Sequence, residues 1–391
     1  MRFRYSAEGN GKPVKKACVY TCDEHRINFS DVDPHAVYIT EKLQSNGYET
    51  YIVGGAVRDL LLGKKPKDFD IATSASPGRI KKIFRNSRII GRRFRLVHVF
   101  FGKKIIEVST FRSLVNGPSS NVFGSIDDDV QRRDFTLNAL FYDPLKQLLI
   151  DYVEGMKDIK KRVIRPIIPL PHIFTDDPVR IIRALKYAAM TDFKLPLSLK
   201  LRIKKNSSLL AQISPSRLTE EIFKIINSPN ADKIIEVLED FGIYRYLQPN
   251  AAQLFKSLPE FKTRYLKAFE VLNEDAQKPG KNLSALISTY IDHSIDWDSK
   301  EEKDMERFKN VFNLARKFVL PMNPPKVELY NAIRLLFAGH GIIIKKSRYY
   351  EKQRRPGTFK NPVEKENPIP VQGAAETHFK RRRKSRSKIS G

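Results

Sequence analysis

Residues 51–73 read YIVGGAVRDLLLGKKPKDFDIAT. Tyr51-Ile52-Val53 is a β-branched run of strand type, and it ends abruptly in Gly54-Gly55. With no Cβ in the way, a glycine pair lets backbone approach a ligand closely. AVRDLLL then carries apolar residues at helical spacing and stops at Gly63, a suitable C′ residue. A helix opening behind glycines presents unpaired N–H groups and the positive end of its dipole, which suits a phosphate. After the basic loop Lys64-Lys65-Pro66-Lys67, Asp68-Phe69-Asp70 leads into a second strand at Ile71.

In an extended chain, residues two apart share a face, so Asp68 and Asp70 project together and Phe69 points into the core. Two ionised carboxylates that close repel unless a cation sits between them. Magnesium with a nucleoside triphosphate is the natural occupant, because Mg²⁺ is held by one or two carboxylates plus phosphate oxygens. A solvated strand end would carry the same pair. The glycines, Arg58-Asp59 and the basic loop ahead of it favour the metal.

GGAVRDLLLG followed by DFD resembles the signature of the class II nucleotidyltransferases, which include the CCA-adding tRNA nucleotidyltransferases and the bacterial poly(A) polymerases. The resemblance runs from Tyr51 to about Asn227. It implies an α+β fold: a mixed or antiparallel sheet with helices, then all-helical neck and body domains. It also implies two Mg²⁺ ions on Asp68 and Asp70, ATP as substrate, and Gly54, Gly55 and Arg58 on the nucleotide.

Outward from this centre, LVHVFFG and KKIIEVSTFR form two strands joined by a turn at Gly102-Lys103. Glu107 shares a face with Ile105 and Ser109, and the resemblance places a third strand carboxylate there; an ordinary solvent-facing Glu is the alternative. Arg112 also matches the family. Residues 113–126, rich in Ser, Asn and Gly, read as a mobile loop. After Asp127-Asp128-Asp129 comes RRDFTLNA, in which Asp134 is an N-cap candidate for a helix FTLNAL. The resemblance instead makes Asp134 a catalytic acid and sets Arg133 on the nucleotide, a task suited to a planar, permanently charged fork. Asp151 to Asp158 looks like the family's connector, though chemically it needs to be no more than a turn.

Asp176-Asp177-Pro178 opens a helix, and Asp177, Arg180, Arg183 and Lys186 recur along one stripe. An i,i+3 pair of Asp177 with Arg180 is the plain reading. The resemblance assigns Asp177, Arg180 and Arg183 to the nucleobase. A fixed acceptor beside a fixed donor matches adenine and rejects guanine, yet cytosine offers the same edge, so CTP stays open. Asp176 and Lys186 depart from the family's Glu and Arg. The helix SRLTEEIF resembles the family's last shared motif, with a bracing role. From Ala231 to about His340 only amphipathic helices follow, expected to bind RNA.

With 71 Lys+Arg against 44 Asp+Glu, the formal charge is +27, which calls for a polyanionic partner. No apolar run reaches the ~20 residues of a membrane span, and the start lacks a signal-peptide core. Cys18 and Cys22 exclude a disulfide framework, and with His25 and His35 they fit no common zinc spacing. The expected organisation is a flexible arm over 1–30, a catalytic head over 31–166, a neck over 167–228, a body over 229–344 and a basic tail over 345–391. In the tail, Arg381, Arg382, Arg383, Lys384 and Arg386 grip phosphates. The expected protein is a cytoplasmic monomer that adds AMP to RNA 3′ ends, feeding RNA processing and decay, with RNA-decay or RNA-chaperone proteins as partners. CCA addition to tRNA and an inactive RNA-binding regulator are the alternatives. GRRFRLVHV, which resembles the polymerase subgroup where CCA-adding enzymes more often carry a His-Gly segment, and the basic tail favour polyadenylation.

Overall fold

The computed structural model describes residues 2–7, 13–91, 96–113, 122–274, 280–298 and 303–345. Nine strands form one sheet: β1 (Arg2–Ala7), β2 (Pro13–Tyr20), β3 (Thr50–Val53), β4 (Asp70–Thr73), β5 (Ser87–Ile90), β6 (Leu96–Phe101), β7 (Lys104–Thr110), β8 (Leu140–Asp143) and β9 (Leu148–Asp151). Their order is β1-β2-β9-β8-β3-β4-β7-β6-β5. Every neighbouring pair is antiparallel except β4 with β7.

The central stretch folds as its residues dictate. β3 is buried throughout and leaves the sheet at Gly54, whose φ of 74° is readily adopted without a Cβ. The helix Gly55–Leu61 follows, and Gly63 at φ 67° ends it. Phe69 is 4% exposed while Asp68 and Asp70 are open to solvent, so the alternation of strand residues holds. Alternation also shapes the β6–β7 hairpin: Val97, Val99, Ile106 and Val108 are buried, and the residues between them face outward. Asp33 caps the helix Pro34–Ser45 by accepting from the His35 and Ala36 N–H groups at 2.8 and 3.4 Å.

Register fixes one row of residues across all nine strands: Arg2, Val19, Ile150, Phe141, Val53, Asp70, Glu107, His98 and Arg88. The row changes character at β4. On the β1 side it is mainly apolar and joins the core formed by Tyr51, Val53, Phe141, Ile126 and Val130. From Asp70 to Arg88 every residue is charged or polar.

Two expectations need correcting. The segment 1–30 is not an arm: β1 and β2 extend the sheet, and Arg4 donates to Glu49 at 2.7 Å and to the Tyr152 hydroxyl at 3.0 Å. Backbone pairing needs no side-chain periodicity, which is why composition concealed it. Asp134 caps no helix, because FTLNAL makes a single 3₁₀ turn at Thr136–Asn138 and then enters β8. In the segment expected as a mobile loop, Ser113 N–H donates to Val122 O at 2.8 Å and Gly124 N–H to Phe111 O at 3.0 Å; residues 114–121 lie outside the described residues.

Beyond the sheet the chain is helical. Val179–Thr191 packs against Ala231–Asp240, and Tyr244, Phe255, Tyr265 and Phe269 form an aromatic core farther on. Among the described residues no helix is long and apolar enough to cross a membrane, and no group of three or more His, Cys, Asp and Glu is placed to hold a metal ion. His25 is buried; its Nδ1 accepts from Ile27 N–H, so Nε2 donates to Gln147 O. The residues up to Ile344 form one compact unit. The expected phosphate grip, Arg381 to Arg386, lies outside the described residues.

Candidate active site

Where β3 leaves the sheet and β4 enters it, Val53 is paired with Asp70. A Cβ on Gly54 would lie 3.6 Å from Asp70 Oδ2, so the glycine turn and this carboxylate share one small space. Asp70 in turn lies in register with Glu107 on β7. Neither Asp68 nor Asp70 has a hydrogen bond or ion pair to a protein group among the described residues. Although the Asp70 side chain keeps access to solvent, desolvation by the protein atoms crowded around it, then the Glu107 charge and to a lesser degree Asp68, push its pKa up to about 6, with Arg133 opposing them. Glu107 Oε1 lies 3.1 Å from His98 Nε2.

Asp70 and Glu107 border a cleft of about 450 Å³ whose lining includes Gly54, Arg112, Arg132, Arg133 and Arg183. The helix Ile126–Gln131, closed at its start by a capping box between Ser125 and Asp128, delivers Arg132 and Arg133. Asp129 holds Arg133 at 2.8 Å, and its guanidinium stacks 4.9 Å above the Phe141 ring. Burial and then mutual repulsion lower the pKa of Arg112; burial does the same to Arg132. The cleft thus sets crowded arginines beside the unpartnered Asp70 and the His98-bound Glu107, an arrangement suited to a polyanion with a metal. Asp70 is the unpartnered carboxylate in this cleft open to a divalent cation, whose shell phosphate oxygens and water commonly complete.

The remaining expected residues are placed differently. Arg58 is 4% exposed; it donates to Asp59 at 2.9 Å and Asn138 at 3.0 Å, and its guanidinium lies 5.5 Å from the Tyr187 ring centre. It braces the turn from behind. Asp134 accepts from Arg180 Nε at 3.0 Å and Arg183 Nη1 at 2.8 Å, so it positions two arginines and does not line the cleft. Arg180 is 5% exposed, with Nη1 donating to Ile173 O at 3.1 Å. The plain i,i+3 pair is absent: Asp177 accepts from Arg217 Nη2 at 2.6 Å instead. Of the stripe, Arg183 alone lines the cleft.

Two contributors escaped sequence reading. Both lie on the helix Pro215–Ile226, which was expected only to brace. Arg217 holds Asp177, and buried Glu221 accepts from Arg183 Nη2 at 3.3 Å and Lys224 Nζ at 3.0 Å. Spaced at i and i+4, they share a helix face, the one signal available beforehand. Asp134 and Glu221 hold Arg183 firmly cationic against the burial that opposes its charge. Lys186, half-buried beside them, has its pKa lowered to about 8 by desolvation, partly offset by Glu221.

Comparison with known proteins sets this geometry in context. Residues 50–165 match the model of the poly A polymerase head domain, and residues 192–255 match that of the probable RNA- and SrmB-binding site of polymerase A. These two matches cover under half of the chain and liken it to the nucleotidyltransferase superfamily. Within that superfamily, poly(A) polymerase I of Salmonella typhi is 41% identical over 249 residues, covering 60% of this chain and 54% of that protein. The CCA-adding enzyme of Geobacillus kaustophilus is 35% identical over 241 residues, covering 59% of each. This chain therefore spans a little over half the length of these relatives. Among solved structures, the Bacillus stearothermophilus CCA-adding enzyme in complex with CTP superposes with a TM-score of 0.54 at 28% identity, covering 79% of this chain and 83% of that one. The α+β architecture of a sheet-bearing head followed by helices is thus a nucleotidyltransferase fold.

Proposed function

We propose that this protein is a template-independent poly(A) polymerase. It joins AMP from ATP to an RNA 3′-hydroxyl: the 3′-oxygen bonds to the α-phosphorus, the bond to the β-phosphate oxygen breaks, and pyrophosphate and a proton are released. The observation carrying this reading is Asp70 beside the Gly54 turn, in register with Glu107 and facing the arginines of one cleft. Arg112, Arg132 and Arg133 neutralise and orient the triphosphate, the Gly54-Gly55 turn admits it, and Arg183, held by Asp134 and Glu221, faces the base. Asp68 and Asp70 would hold magnesium, two ions in the expected arrangement, whose chemistry is to lower the pKa of a hydroxyl and stabilise leaving oxygens.

Polyadenylation is favoured over CCA addition by the higher identity to the Salmonella poly(A) polymerase I, by GRRFRLVHV and by the basic tail. The proposed division is a head to residue 166, a neck to 228, an RNA-binding body to 344 and a phosphate-gripping tail, in a cytoplasmic monomer acting with RNA-decay proteins. The test offers each NTP separately with a generic RNA and with tRNA lacking its 3′ end. Long A tails on both are expected. A stop after three added residues, confined to the tRNA and requiring CTP, would assign CCA addition instead.

A further inference from the structure

The row of registered residues continues past the acids, and that continuation has chemistry of its own. On β6 and β7 one face is closed, with Val97, Val99, Ile106 and Val108 buried. The opposite face carries His98, Phe100, Ile105 and Glu107, and β5 adds the exposed Arg88 in register with His98. Ile105, paired with Phe100, is 46% exposed. The His98 and Phe100 rings meet edge-on at 6.4 Å, and His98 is fixed by Glu107 at 3.1 Å. A half-buried aromatic ring and imidazole and an exposed guanidinium thus share one face of the sheet, in a row that leads to Asp70.

The arginines divide the surroundings of Asp70 into two sides. Arg133 sits over Phe141 on β8, whereas the open face spreads over β7, β6 and β5. Phosphoryl transfer sets the attacking and leaving oxygens roughly in line. If the triphosphate lies among the arginines, the attacking hydroxyl arrives from the other side.

We propose that the open face of β5, β6 and β7 seats the 3′-terminal nucleotides of the RNA primer, with a base stacked on Phe100 and a backbone phosphate on Arg88. Single-stranded RNA suits it: base stacking on a partly accessible ring tolerates any sequence, and a nearby guanidinium supplies charge. The proposal rests on the transferase reading for its direction, but the binding it requires is measured without turnover.

Fluorescence anisotropy with a 5′-labelled oligoadenylate reads affinity, and primer extension reads KM for RNA and for ATP separately. Phe100→Ala weakens RNA binding about tenfold and raises the primer KM alike, with the ATP KM unmoved. Phe100→Trp, which keeps a ring, retains parental affinity, and Arg88→Gln lowers the salt slope of binding by about one. Parental RNA affinity in both Phe100→Ala and Arg88→Gln would overturn the proposal. So would a dimer lost in Phe100→Ala with RNA affinity unchanged, which would assign the face to a second copy. If the parent protein adds no nucleotide yet Phe100→Ala loses RNA, the surface stands and the transferase reading falls.

Discussion

Asp70 and Glu107 face each other in register across β4 and β7, the one parallel pairing in the described sheet. Parallel neighbours run the same way, so the acid that opens β4 meets one from the middle of β7, beside the turn that ends β3. The crowding of these acids defines the site.

It also makes a pH prediction. Because folding raises the Asp70 pKa to about 6, the folded protein loses stability as pH rises from the ordinary carboxylate range through 6. Asp70→Asn is expected to raise the melting temperature at pH 7.5 and to leave it little changed at pH 4. Its nucleotide addition falls by ~10²-fold or more, the scale of losing one preorganised electrostatic group. An equal melting shift at both pH values would refute the crowding.

Asp134 serves two arginines, so its loss strands both. Asp134→Asn leaves buried Arg180 without its counter-charge and is expected to cost about 3–5 kcal/mol in urea unfolding. Where the variant still folds, its KM for ATP rises because Arg183 loses one anchor. A cost within ~0.5 kcal/mol would show that these ion pairs do not stabilise the helix Val179–Thr191.

Lys186 is held at a pKa of about 8 mainly by burial, below its unfolded value. A lysine so lowered destabilises the fold when charged, and stability recovers as pH rises from 8 towards 10.5. Lys186→Met should therefore raise the urea midpoint at pH 7, with the gap closing by pH 10. A gap constant across that range would rule the lysine out as its source.

Gly155 is a packing requirement. A Cβ there would lie 2.5 Å from the Thr136 carbonyl oxygen and 3.1 Å from Leu140 Cδ2. Neither can yield freely, since the oxygen is backbone and Leu140 is fully buried. Gly155→Ala is expected to destabilise by about 1–3 kcal/mol, read from thermal unfolding.

The tail carries its own test. Removing residues 380–391 should weaken RNA binding and flatten its dependence on salt, because each lost phosphate contact lowers the slope by about 0.7 for a single strand. An unchanged slope would place the grip elsewhere.

Much of the head was legible because its signals are local. The glycine pair, the Asp68/Asp70 spacing and the alternation of β6 and β7 each depend on neighbours a few residues apart. Where the sequence misled, the deciding partner was distant. Asp134 resembled a helix cap, yet its partners lie 46 and 49 residues on. Arg58 read as a nucleotide ligand, yet Asn138, 80 residues away, draws it inward. The first strands were hidden because main-chain pairing leaves little mark on composition.

By itself, then, the sequence determined the turn at Gly54, the paired acids and the basic character of the chain, since backbone freedom, strand alternation and charge are properties of short segments. The tertiary structure decided which arginine faces the cleft, which carboxylates hold it there, and that Glu107 rather than Asp134 stands beside Asp70. Those outcomes depend on strand order and on helices meeting across long separations, where packing selects among partners that spacing cannot tell apart.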